Sequence, residues 1–137
     1  MPRSYAQICP IARALDIVGE RWTMLLVRDM FLGYTRFTDF QRESPGIPAR
    51  VLSDRLKKLE AEGIVERAIY SEHPLRAEYR LTELGMSLRP VMEAMFRWGA
   101  EHRLTERQRT AVYRRLFGDG VPADTPTAEL SLPAIAR

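Results

Sequence analysis

Between Pro48 and Gly63 the large apolar residues fall at Val51, Leu52, Leu56 and Leu59 and nowhere else. A spacing of three and four gathers them on one side of a helix. The residues left over form a polar stripe. With Arg50 at zero on a helical wheel, Asp54 and Lys57 lie within about 40° of it and Ser53 about 60° away. The spacing therefore predicts a helix over 47–62 with one face to bury and one to show. Just before it, Glu43-Ser-Pro-Gly46 reads as a tight turn, because proline and glycine together punctuate a chain.

The flanking segments follow the same logic. Pro10 suits the first turn of a short helix whose Ile8, Ile11, Ala12, Leu15 and Val18 keep helical spacing, and Gly19 ends it. From Arg21 a second helix is apolar almost all round and is expected to run through the core, stopping at Gly33. Arg36 to Gln41 reads as a short helix, with Phe37 and Phe40 on one face. After Gly63, the β-prone Ile64, Val65, Ile69, Tyr70, Tyr79 and Leu81 flank the polar stretch Ser71 to Arg76, which predicts a β-hairpin with a tip. Thr82 then caps one long helix through about His102, and Thr105 caps another to about Phe117. The order of helices, turn, helix and hairpin predicts a mainly α fold with a small β-hairpin wing, a winged helix-turn-helix.

Composition narrows the function. At 137 residues the chain fits one globular domain, and 45% hydrophobic with 28% charged residues is an ordinary globular mix. Arg28 and Asp29 interrupt the greasiest stretch, so no membrane helix is expected, and the first residues lack an apolar signal core. The expected location is the cytoplasm. One cysteine, Cys9, makes no internal disulfide, and His73 and His102 are too few for a Cys/His metal cage. His73 reads as an exposed turn residue. No glycine-rich phosphate loop, His-Glu-x-x-His pattern or paired nucleophile and base is present, so no catalytic residue, metal ligand or cofactor is expected and the chain is not read as an enzyme.

The net charge is only +3, from 21 basic and 18 acidic residues. What matters for a polyanion is therefore where the cations converge. On the predicted 47–62 helix, Arg50 can address a guanine edge, Ser53 a base or phosphate, and Lys57 the backbone. Asp54 can accept from a cytosine amino group or orient Arg50, although it repels phosphate. An ordinary solvated helix face is the alternative for this stripe. Arg55 falls nearer the apolar side and is assigned a structural role, its stem packed and its guanidinium on a carboxylate. In the hairpin, Arg76 past Pro74 is placed to reach a minor groove or phosphate. Met92, Met95, Phe96 and Trp98 exceed what one small core needs, so part of that surface is expected to face a partner.

Taken together, Cys9-Pro10, Gly19-Glu-Arg-Trp22-Thr23, Arg36-Phe37, Gly46-Ile47, Arg50-Val51-Leu52-Ser53, Arg55-Leu56, Leu59-Glu60, Gly63-Ile64-Val65-Glu66-Arg67, Glu78-Tyr79, Leu81-Thr82-Glu83-Leu84-Gly85 and Trp98 resemble the HxlR-type, MarR-like family of bacterial transcription regulators. The resemblance covers roughly residues 8 to 99. It implies a homodimer on palindromic or repeated operator DNA, most members being repressors, with the first and the C-terminal helices as dimerisation helices. Ile8, Ile11, Met92, Met95, Phe96 and Trp98 are the dimerisation residues so implied, and Arg36 joins the DNA-binding set of Arg50, Ser53, Asp54, Lys57 and Arg76. Members often carry Ser-Pro after the Gly-Ile pair where this chain has Pro48-Ala49, which leaves open where the reading helix begins.

The resemblance also implies that Cys9 senses electrophiles or oxidants, and its place at a helix N-terminus would favour the thiolate. Plain packing beside Ile8 and Ile11 is the alternative. The expected organisation is a winged helix-turn-helix domain over 8–102, an arginine-rich helical extension over 103–117, and a flexible tail over 118–137. The extension either lengthens the dimer contact or adds phosphate contacts. The expected function is a sequence-specific DNA-binding regulator, and the expected partners are double-stranded operator DNA, a second copy of the chain and a small-molecule or electrophile effector. The rival is a winged-helix protein-interaction module without specific DNA binding.

Overall fold

The computed structural model describes residues 4–122, 124–130 and 133. The chain divides into two compact units, one up to Ser87 and one from Leu88.

The first unit contains α1 (Pro10–Val18), α2 (Thr23–Phe31), α3 (Phe37–Glu43), α4 (Ala49–Ala61), β1 (Val65–Glu72), β2 (Leu75–Leu81) and the short α5 (Glu83–Met86). Its core is the meeting of α2, α3 and α4: Leu26, Val27, Phe40, Leu52, Leu56 and Leu59 are all buried. The three α4 leucines keep 0–1% of their surface exposed, and each such side chain stabilises the fold by roughly 1.5–3 kcal/mol. β1 and β2 form an antiparallel hairpin running from Val65↔Leu81 to Glu72↔Leu75, with an irregularity between Ile69 and Ser71. The free edge of β2 is tied to the segment before α3, where the Tyr79 N–H donates to the Thr35 carbonyl at 2.8 Å. The wing is thereby anchored at its base.

The second unit contains α6 (Arg89–His102), α7 (Glu106–Phe117) and a 3-10 turn at Thr127–Glu129. Tyr113 is fully buried, and Phe96 lies 6.4 Å from its ring and 6.3 Å from that of Phe117. Within the stretch read as a loose tail, the Thr127 side chain is buried and its hydroxyl donates to Glu101 on α6. Tail residues 123, 131, 132 and 134–137 lie outside the described residues.

Helix and strand ends shift by a few residues from the sequence reading, and at two boundaries the cause is local. The single long helix expected after Thr82 is interrupted at Ser87 and Leu88. Pro90 is the cause: it has no N–H to give to the Met86 carbonyl, and it suits the first turn of a new helix. The second helix begins at Thr23 rather than Arg21, because Trp22 adopts φ 79° in the left-handed region and breaks helical geometry there.

Candidate nucleic-acid interface

The approach to α4 is built by the Pro-Gly bend. Gly46 takes φ +92°, a conformation that costs glycine little, and the Ile47 N–H closes the turn on the Ser44 carbonyl at 3.2 Å. Pro48 is the N-cap and Ala49 the first helical residue. The start of this helix is thus fixed, with Arg50 as its second residue, inside the first turn.

α4 carries four cations, and the fold sorts them into two pairs. Arg55 Nη1 lies 2.7 Å from Glu20 Oε2, and Lys58 Nζ donates to Glu20 Oε1 at 2.6 Å. Arg55 also donates to the Arg21 carbonyl. The hydrogen bond from Lys58 is the main reason the Glu20 carboxyl is held below its usual pKa. These contacts fasten α4 to the α1–α2 corner and assign Arg55 the structural role expected of it. Arg50 and Lys57 are exposed with Asp54, and none of the three has an ion pair among the described residues. Ser53 is half-buried between the polar and apolar faces.

On the hairpin, Arg76 is exposed beside the turn, next to the exposed Leu75. Arg36 is differently placed. Its guanidinium sits 5.1 Å from the Tyr70 ring centroid and 4.0 Å from Glu78, while its N–H donates to Asp39 at the start of α3. It is therefore a half-committed side chain at the base of the wing rather than a free one. His73 is exposed in the hairpin turn.

Cys9 is the exposed N-cap of α1, its carbonyl accepting from the Arg13 N–H at 3.0 Å. Ile8 and Ile11 flank it with 90% and 71% of their surface exposed. In the second unit the four residues expected to exceed a small core divide. Met92 is buried and Phe96 packs on Tyr113 and Phe117, whereas Met95 and Trp98 stay more than half exposed. The Trp98 ring is flanked by His102 and by the Arg103 guanidinium, 5.4 and 5.2 Å away.

Glu20, Lys58 and Tyr70 were not singled out from sequence. Glu20 and Lys58 are 38 residues apart, and only tertiary packing shows that they meet. On the wheel Lys58 falls at about 80° from Arg50, between Asp54 and Arg55, so its position alone did not assign it to either face.

A helical core, a glycine turn before an outward-facing helix, and a two-stranded wing define a winged helix-turn-helix protein. Comparison with known proteins agrees. The profile of the HxlR-like helix-turn-helix family matches residues 17–107. The HTH-type transcriptional regulator YybR of Bacillus subtilis is 41% identical over 95 residues, 69% of this chain and 76% of its own length. Among solved structures, the redox regulator HypR in its oxidized form is 40% identical with a TM-score of 0.66, covering 71% of this chain and all of HypR. A MarR-family regulator from Porphyromonas gingivalis is 29% identical at the same TM-score, covering 74% and 99% of the two chains. The chain belongs to the HxlR-like helix-turn-helix family, and it is a DNA-binding transcriptional regulator rather than an enzyme. No helix among the described residues is long and apolar enough to cross a membrane.

Proposed function

We propose that the chain acts as a homodimeric, sequence-specific repressor in which the helix over 47–62 enters the major groove and the wing over 71–77 touches the neighbouring groove or backbone. The carrying observation is the sorting of cations on α4. Two are consumed by Glu20, while Arg50 and Lys57 remain exposed on the face opposite three buried leucines. A merely solvated face has no need of this division. Arg50 near the helix start reads a guanine edge, Ser53 and Asp54 contribute polar contacts to bases or phosphate, and Lys57 neutralises backbone charge. Arg76 at the wing tip and Arg36, oriented by Tyr70, supply further contacts.

Dimerisation rests on the exposed apolar residues of α1 and α6, and a twofold pair places two reading helices on half-sites about 34 Å apart. Cys9 is proposed as a redox- or electrophile-sensitive thiol, supported by its exposure and by the likeness to HypR, described as a redox regulator. It is the chain's one cysteine, so a protein disulfide it formed would join two chains, two thiols losing two protons and two electrons to an oxidant. Its working place is the cytoplasm, with the DNA.

Gel shifts against operator and random duplex test the reading. Arg50→Ala is expected to weaken specific binding by about 1–3 kcal/mol and relax preference at one base pair, while Lys57→Ala weakens all sequences alike. An unchanged footprint in Arg50→Ala overturns the assignment of the reading helix, and no binding to any duplex at low salt points instead to a protein-interaction module.

A further inference from the structure

The family profile ends at residue 107, so nearly all of α7 lies beyond it. Four of the chain's 21 basic residues, Arg107, Arg109, Arg114 and Arg115, lie on this helix against one of its 18 acidic residues, Glu106. That leaves the rest of the chain balanced at 17 against 17. The whole formal excess of +3 is thus carried by one short helix.

The mounting of α7 is firm. Thr105 and Gln108 cap its start reciprocally, at 3.2 and 2.9 Å, and Tyr113 buries its inner face. Arg109 belongs to that mounting, since it is half-buried and its Nε donates to the Ala100 carbonyl at 3.2 Å. Arg107 and Arg114 face outward. Seven residues separate them, which places them about 20° apart around the helix and about 10.5 Å apart along it. Arg107 has no ion pair among the described residues. The partner of Arg114 is Asp119 at 3.0 Å, with 68% and 88% of the two side chains exposed, and so wet a pair is readily exchanged for another anion. Thr110 and Ala111 lie between the two arginines. They offer little to a hydrophobic partner, and a second copy meeting this face across a twofold would oppose like charges.

We infer that the Arg107–Arg114 face of α7 is a second nucleic-acid contact, one that grips the phosphate backbone of duplex DNA without reading its sequence. The inference rests on the DNA-binding reading above and extends it to a helix outside the family core. Phosphates, spaced regularly and carried at high density, match two guanidiniums fixed on one helix face.

The test is a salt titration of binding to a random-sequence duplex by the full chain, its R107A/R114A and R107K/R114K variants, and D119N. For R107A/R114A the slope of log affinity against log salt is expected to shrink by about 1.8 per protomer bound. R107K/R114K, which keeps both charges, is expected to retain the slope, and D119N to bind more tightly. An unchanged slope in R107A/R114A overturns the assignment. So does an equal loss in the lysine variant, which would mark a structural role, or a change in sedimentation mass, which would mark a contact between copies. Failure of the unmodified chain to bind any duplex overturns the DNA reading itself, whereas binding with an unmoved slope removes only the role of α7.

Discussion

Glu20 holds two cations from α4 with one carboxylate, and its side chain is only a third exposed. Its folded pKa is lowered from the ordinary value of 4.5, chiefly by the hydrogen bond from Lys58, with Arg55 adding charge. A depressed carboxylate contributes stability that is fully present above its unfolded pKa and is lost as pH falls through its folded one. Glu20→Gln is therefore expected to cost about 1 kcal/mol at neutral pH and to flatten the acid side of the stability profile. Urea unfolding across the acid range checks this, and an unaltered acid limb would show that the clamp contributes nothing. Cys9 gives a second residue-scale test. If it is the sensing thiol, Cys9→Ser abolishes any oxidant-induced change in DNA affinity and any disulfide-linked dimer on a non-reducing gel. A persisting response in the serine variant would place the sensor elsewhere.

The short helix α5 shows how tightly an element can be fixed by a single atom's absence. The Thr82 side chain accepts from the Gly85 N–H at 3.1 Å, and the Thr82 N–H donates to the Ile64 carbonyl at 3.0 Å, so the helix start is pressed against the root of the wing. A Cβ on Gly85 would stand 2.1 Å from the Ile64 carbonyl oxygen, which is backbone and has nowhere to go. Gly85→Ala is expected to destabilise by about 1–3 kcal/mol through overpacking, measured as a lower urea midpoint, and wild-type stability would mean that α5 can lift away. Such contacts were beyond the sequence, which showed Gly85 only as part of a motif. The same divide runs through the other elements. Leu52, Leu56 and Leu59 announced the buried side of α4 because their spacing is local, and the alternation of β-prone residues with a proline-containing tip announced the wing. Arg36 looked free because Tyr70 and Glu78, which hold it, lie far along the chain. Pro90 was passed over because apolar spacing on both sides of it continued unbroken.

At the scale of the whole molecule, each unit leaves apolar side chains in water at helical spacing. On α1 and its N-terminal flank these are Ile8, Ile11 and Leu15; on α6 they are Val91, Met95 and Trp98. Steps of four and three residues keep Ile11 with Leu15, and Val91 with Met95 and Trp98, on one helix face each, while Ile8 lies in the non-helical segment just before the Cys9 N-cap; neither set is needed to fill the core of its own unit. A specific, stable pair of protomers buries roughly 1,200–2,000 Å² in total, and both sets are expected to contribute to it. Charge on these faces should then act on assembly before it acts on folding. Ile11→Asp and Met95→Asp are each expected to shift sedimentation equilibrium toward monomer while leaving the helical circular dichroism in place, since both residues are already exposed in the single chain. Affinity for a two-half-site operator is expected to fall with dimer content, and binding to a single half-site to change far less. A chain that sediments as a monomer at micromolar concentration without either substitution, and still footprints both half-sites, would separate DNA recognition from the twofold pair.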